Sequence, residues 1–161
     1  MSESFIKPPD MGYWSQSVGG LIINFGVIEF LTLRWIQVFD GEPAAIAARK
    51  HKLSRRIQSA VTLIAASPLS DADKKRASDL WSEASQLSGT RNRVAHNPMT
   101  VGVMKKSGEL VLSIIDLQKM TPTGENPLER LDRSQIASIA LRVGEIGRDL
   151  SAIIESIPNK K

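Results

Sequence analysis

Apolar residues recur at helical spacing over four stretches of this chain, and the period shortens in one place only. The first stretch, from about Trp14 to Val38, carries Val18, Leu21, Ile22, Phe25, Ile28, Leu31, Trp35 and Ile36. It is apolar on nearly every side, which predicts a central or interface helix, and Asp40-Gly-Glu-Pro43 ends it. A second helix is predicted after Pro43, with Ile46, Leu53, Ile57, Val61 and Ile64 on one stripe. Arg49, Lys50, Lys52, Arg55 and Arg56 fall mostly away from that stripe, and Ser67-Pro68 stops the helix. The third begins at Ser70 or Asp71, whose oxygens can cap free amides, and runs through Leu80, Trp81, Ala84, Leu87, Val94 and Ala95. Proline disfavours the α conformation at the residue before it, so Pro98 ends the helix by Asn97 and leaves His96 in or just beyond the last turn.

Between residues 99 and 116 the pattern reads as strand. Thr100–Met104 and Glu109–Ile115 flank the turn-like Lys105-Lys-Ser-Gly108, which predicts a hairpin. A polar loop with Pro122, Gly124 and Pro127 leads to a last helix opened by Ser134, its stripe being Ile136, Ile139, Ala140, Val143, Ile146, Leu150, Ile153 and Ile157. The expected fold is all-α: a four-helix up-down bundle with a short β-hairpin inserted between the third and last helices. Its 161 residues suit one domain over 1–161, large enough to need no disulfide or metal staple.

Composition narrows the chemistry. The chain has no cysteine, which excludes disulfide frameworks, thiolate zinc sites and cysteine nucleophiles and is compatible with a reducing compartment. The N-terminus lacks a basic region followed directly by an apolar run, so no secretory signal is expected and the cytoplasm is the expected location. Val18–Leu33 contains Asn24 and Glu29 and falls short of the roughly 20 apolar residues a bilayer needs, so it reads as a buried helix and no membrane partner is expected. A formal charge of +4 and a pI near 9.6 favour an acidic partner and permit RNA without requiring it. No His-Glu-x-x-His pattern or glycine-rich phosphate loop occurs, so neither a metal nor a cofactor is expected.

One residue is out of place. At ~100° per residue, Arg91 projects almost onto the middle of the apolar face of the third helix. Burying a guanidinium is costly unless a carboxylate or phosphate pairs with it. The only carboxylate in the apolar first helix is Glu29, which is therefore the expected partner. Asn92 and His96 lie four residues apart on the flank of that face, where the amide could orient the imidazole. The partial negative charge of a helix C-terminus favours a protonated imidazole beside it, which suits acid–base work.

Arg91-Asn-Arg-Val-Ala-His96, at the end of the penultimate helix, resembles the motif of the HEPN superfamily (higher eukaryotes and prokaryotes nucleotide-binding domains). Members are four-helix bundles marked by arginine, four to six residues, then histidine, and Asn92 matches the polar residue often found after the arginine. The resemblance implies a metal-independent endoribonuclease in which the ribose 2′-OH attacks the adjacent phosphate, leaving 2′,3′-cyclic phosphate and 5′-OH ends. His96 would transfer protons, Arg91 would neutralise the phosphorane and Asn92 would orient or bind phosphate. It also implies a homodimer whose two motifs face a shared cleft, supplying two imidazoles, and toxin-like or phage-defence roles with an antitoxin as a possible partner. A sub-branch of the family carries a tyrosine two residues after the histidine as the target of nucleotide transfer. Pro98 stands there, so the resemblance does not extend to that modification.

Arg49, Lys52, Arg56 and Arg93 are the further candidates for contact with RNA, although such a run of cations is ordinarily a solvated helix face and Arg93 points away from the apolar face. His51, within the basic run, reads as a surface residue, and the tryptophans Trp14, Trp35 and Trp81 as core. The competing class is a non-catalytic RNA-binding or dimeric interaction module of the same fold, in which Arg91 is an ion-pair partner only.

Overall fold

The structure, a computed structural model, describes residues 11–103, 110–115 and 128–157. The expected turn at Lys105–Gly108, the polar loop around Pro122, Gly124 and Pro127, and the two chain ends lie outside the described residues. Five helices and three strands follow in the order α1 (Met11–Asp40), α2 (Glu42–Ala48), α3 (Leu53–Ala66), α4 (Asp71–His96), β1 (Met99–Val103), β2 (Leu110–Ile115), β3 (Leu128–Arg130) and α5 (Arg133–Glu155). The protein is mostly helical with a small antiparallel sheet.

The predicted second helix is two helices. A continuous helix would put Ala48 and Ile57, nine residues apart, on opposite sides at ~100° per residue. Both are buried, because the chain breaks between them: Lys52 is extended (φ −60°, ψ 153°) and α3 starts afresh. Ala45 and Ala48 pack on Ile36, and Ile46, placed on the stripe by the periodicity, is 50% exposed. The turn from α1 into α2 needs a glycine, since Gly41 sits at φ 91°. Ser70 caps α4, accepting the Asp73 amide. The cap of α5 is Asp132 rather than Ser134, its carboxylate accepting from the amides of Ser134 and Gln135.

The sheet is larger than the expected hairpin. β2 is its central strand, antiparallel to β1 (Met99 opposite Ile114) and to β3 (Ser113 opposite Arg130). With neighbours on both edges, Leu112, Ser113 and Ile114 are all buried.

Helix α1 is the hub of the core, packing on α2, α3, α4 and α5. Leu21, Phe25, Ile28 and Trp35 of α1, Trp81 and Ala84 of α4, and Val143, Ile146 and Leu150 of α5 are fully buried in one cluster with Ile57 and Ala60 of α3. The rings of Trp35 and Trp81 meet edge to face, their centroids 6.0 Å apart. By length and composition, Trp14–Asp40 is long and apolar enough to cross a membrane, longer than the stretch read from the sequence, and one side of it is buried in this core.

The up-down order is not what α1 and α5 show. Gly20 lies beside Ala140, Asn24 beside Gly144, and Val27 beside Gly147. The pairs advance together along both helices, so α1 and α5 run parallel. Neighbouring helices joined by short loops are antiparallel, whereas here a three-stranded excursion separates α4 from α5 and lets the chain return before α5 begins. Glycines permit the close approach: a Cβ at Gly144 would stand 3.0 Å from the Asn24 amide nitrogen, which donates to the Ala140 carbonyl at 2.7 Å.

Arg142 ties α5 to α4. Its guanidinium donates twice to the Glu83 carboxylate, both at 2.7 Å, and once to Glu145 at 2.9 Å. The hydrogen bonds from Arg142 hold Glu83 below its ordinary value of 4.5, against the opposing effect of burial. A carboxylate with a lowered folded value stabilises the fold above its ordinary value, and that contribution is lost as pH falls through the lowered one. Arg142→Gln is therefore expected to cost about 0.5–1 kcal/mol at pH 7, the range of a half-exposed pair. It should also flatten the fall in stability below about pH 4.5. Urea melts of both proteins from pH 7 to 3 check this. Some slope should survive in the variant, because Ser134 lowers Asp132 in the same direction.

Candidate functional site

Three helices bring one carboxylate and two guanidiniums together. Glu29 on α1 accepts from Arg91 Nη2 on α4 at 2.9 Å through Oε1, and from Arg56 Nη2 on α3 at 3.2 Å through Oε2. The pairing of Arg91 with Glu29 is the one expected from the helical projection. Arg56 is a correction: its side chain is only 10% exposed, so it is not on the solvated face of its helix but inside the bundle. Its position carried a signal, since Leu53, Arg56, Ile57, Ala60 and Ile64 follow helical spacing and Arg56 interrupts an otherwise apolar face.

Two cations share one carboxylate, so the cluster carries an excess positive charge. Arg91 keeps 24% of its side chain exposed. The Nε atoms of both arginines are buried and find no acceptor among the described residues. A buried donor without a partner is destabilising, and an anion that reaches the exposed edge of Arg91 would meet a positive charge already held in place.

Asn92 is exposed and, through Oδ1, accepts from Arg91 Nη1 at 3.1 Å. It orients the guanidinium and not the imidazole, which differs from the expected role. His96, one turn further, is exposed in the last turn of α4 and has no hydrogen-bond partner among the described residues. Asn97 closes the helix, its backbone and side-chain amides both donating to the Arg93 carbonyl, which anchors the segment on which His96 stands. At ~100° and ~1.5 Å per residue, five residues separate Arg91 from His96 by ~140° around the axis and ~7.5 Å along it. The imidazole therefore leaves α4 on a different side from the guanidinium, toward the end of the helix.

The remaining candidates are spread. Arg49 and Lys52 are exposed at the break between α2 and α3, with Lys52 one turn before Arg56. Arg93 is half-buried and engaged with neighbouring groups. His51 is half-buried, and its backbone amide donates to Ala48. Among the described residues no cluster of three or more His, Asp or Glu side chains has the arrangement to hold a metal ion. Compared with known proteins, the chain matches no family profile, no curated protein and no solved structure.

Proposed function

We propose that this chain is a HEPN-type, metal-independent endoribonuclease that acts as a homodimer. The observation that carries the reading is the excess-charge cluster of Arg91, Glu29 and Arg56, with an exposed imidazole, unpartnered among the described residues, about one and a half turns along the same helix. In-line attack by a ribose 2′-OH on its own 3′-phosphate needs a base for the hydroxyl, an acid for the departing 5′-oxygen and a cation for the phosphorane. His96 serves in proton transfer, and each protomer supplies one imidazole. Arg91 offers its exposed edge to the non-bridging oxygens, held by Glu29 on one nitrogen and Asn92 on the other. Glu29 and Asn92 are positioning residues. The exposed cations Arg49 and Lys52, seven and four residues before Arg56, suit the approach of a polyanion. The parallel run of α1 and α5 departs from an up-down bundle, so the reading rests on the site and not on the order of helices. An antitoxin partner and a role in toxicity or phage defence extend the same proposal.

A second reading, a non-catalytic RNA-binding or interaction module, is favoured by the same Glu29–Arg91 bond, since an arginine already paired can be purely structural. Incubating the protein with end-labelled RNA in EDTA separates the two. Cleavage leaving 2′,3′-cyclic phosphate and 5′-OH ends is expected. Binding without cleavage, or ends of any other kind, would sink the nuclease reading.

A further inference from the structure

Between Trp14 and Arg34 the only charged residue of α1 is Glu29, and its carboxylate is taken by Arg56 and Arg91. The opposite, outward side of the helix is apolar. Ile23 (68% exposed), Val27 (45%) and Phe30 (64%) form one stripe at i, i+4, i+7, continued across to Leu141 (71%) of α5. A soluble surface seldom leaves four such side chains contiguous. Together they expose on the order of 500 Å², a patch of functional size, and two copies joined there approach the ~1,200 Å² of a specific interface once the polar rim is added.

The face is also shaped for itself. Beside the stripe runs a groove of about 360 Å³ between α1 and α5, floored by Gly144 and Gly147 and edged by Asn24 and Val27. Glu145 and Arg148 stand on its far wall, and Arg148 has no carboxylate partner among the described residues. Phe30 is the bulky knob, three residues beyond Val27, and the Asn24–Gly144 part of the groove lies three residues before it. A two-fold axis through Val27, perpendicular to α1, brings each Phe30 to the partner's groove in an antiparallel helix pair. Because α5 runs parallel to α1 with Gly147 beside Val27, the same axis faces Glu145 toward the partner's Arg148, and reciprocally.

We infer that the outer face of α1, with the α5 groove beside it, is the seam on which a second copy of this chain docks in antiparallel, two-fold fashion. The inference rests on the dimeric reading above and names its surface. The seam lies on the side of α1 away from Glu29, so the two Glu29–Arg91 clusters do not face each other across it.

Sedimentation of the full chain tests the seam. Wild type is expected as a dimer, and Phe30→Asp and Ile23→Asp, both at exposed positions and checked for folding by circular dichroism, should each weaken association about 30-fold or more. Because the chain lacks cysteine, Val27→Cys should cross-link to itself with a short bismaleimide, whereas Gln86→Cys, exposed on α4, should not. A dimer indifferent to both aspartate variants overturns this seam and leaves the dimer standing. A protein monomeric at about 100 µM overturns both. A monomer that floats with phosphatidylglycerol vesicles assigns the face to lipid and overturns it as well. RNA cleavage measured on the same samples keeps the chemistry separate, since a dimer that both aspartate variants weaken but that does not cut supports the seam and not the nuclease.

Discussion

Glu29→Ala should lower the stability of the protein by about 2–4 kcal/mol, somewhat under the value for breaking a fully buried pair because the carboxylate is 32% exposed. The substitution removes little apolar contact. Its cost comes from leaving Arg56 inside the bundle and Arg91 at its edge with no counter-charge, two guanidiniums held close in a medium that screens them poorly. Three comparisons separate this from a simple loss of packing. Glu29→Gln should recover part of the stability, since an amide oxygen still accepts a hydrogen bond but does not neutralise. Arg56→Met in the Glu29→Ala background should recover more, because an apolar side chain of similar length removes one of the stranded charges. The Glu29→Ala protein should also be stabilised by inorganic phosphate more steeply than wild type, since an anion then binds a site with two unpaired cations. Urea melts at pH 7 with and without phosphate give all of these. A Glu29→Ala protein within about 0.5 kcal/mol of wild type would mean that the three side chains are not an energetic unit.

The same cluster shows how far the sequence could be read. The Glu29–Arg91 pairing was legible because each residue is the single charge on an apolar face, and the helix period alone brings such faces together. Arg56 was not, because it stands in a run of five cations where one buried member looks like its solvated neighbours. The clue lay in Ala60, a small residue whose place on the stripe a search for large apolar residues passes over. The break between α2 and α3 was hidden for a related reason, since Ile46 fits the stripe numerically while the residues that bury, Ala45 and Ala48, are small. The ends of α4 were legible from Ser70 and Pro98, local signals that owe nothing to tertiary contacts. The parallel run of α1 and α5 depends instead on where a 36-residue connection delivers the chain, and Asn24, Gly144 and Gly147, which record the close approach, are uninformative until the two helices are seen together. Asn92 followed the same rule: spacing allowed it to serve His96, and geometry gave it to Arg91.

His96→Ala should reduce the single-turnover rate of RNA cleavage by about 10²–10⁴-fold, the range for losing a proton-transfer group, with little change in RNA affinity. Arg91→Ala should lose about 10²–10³-fold, as removal of a charge that stabilises the transition state does. Arg91→Lys should recover only part, because an ammonium keeps the charge but not the planar fork that Glu29 and Asn92 hold in place. Asn92→Ala, which loosens the guanidinium without removing it, should fall between wild type and Arg91→Lys. If His96 and Arg91 act on one phosphorane, the double variant should be scarcely slower than the worse single one, since groups that act as a unit do not contribute additively. Mixing His96→Ala with Arg91→Ala protomers bears on the dimer. Two motifs serving one phosphate predict that the mixed dimer, with one intact imidazole and one intact guanidinium in different chains, regains measurable cleavage, whereas independent sites predict none. Equal and modest losses in all variants, accompanied by matching losses of stability, would return Arg91 to a structural role and leave the interaction module as the better account of the cluster.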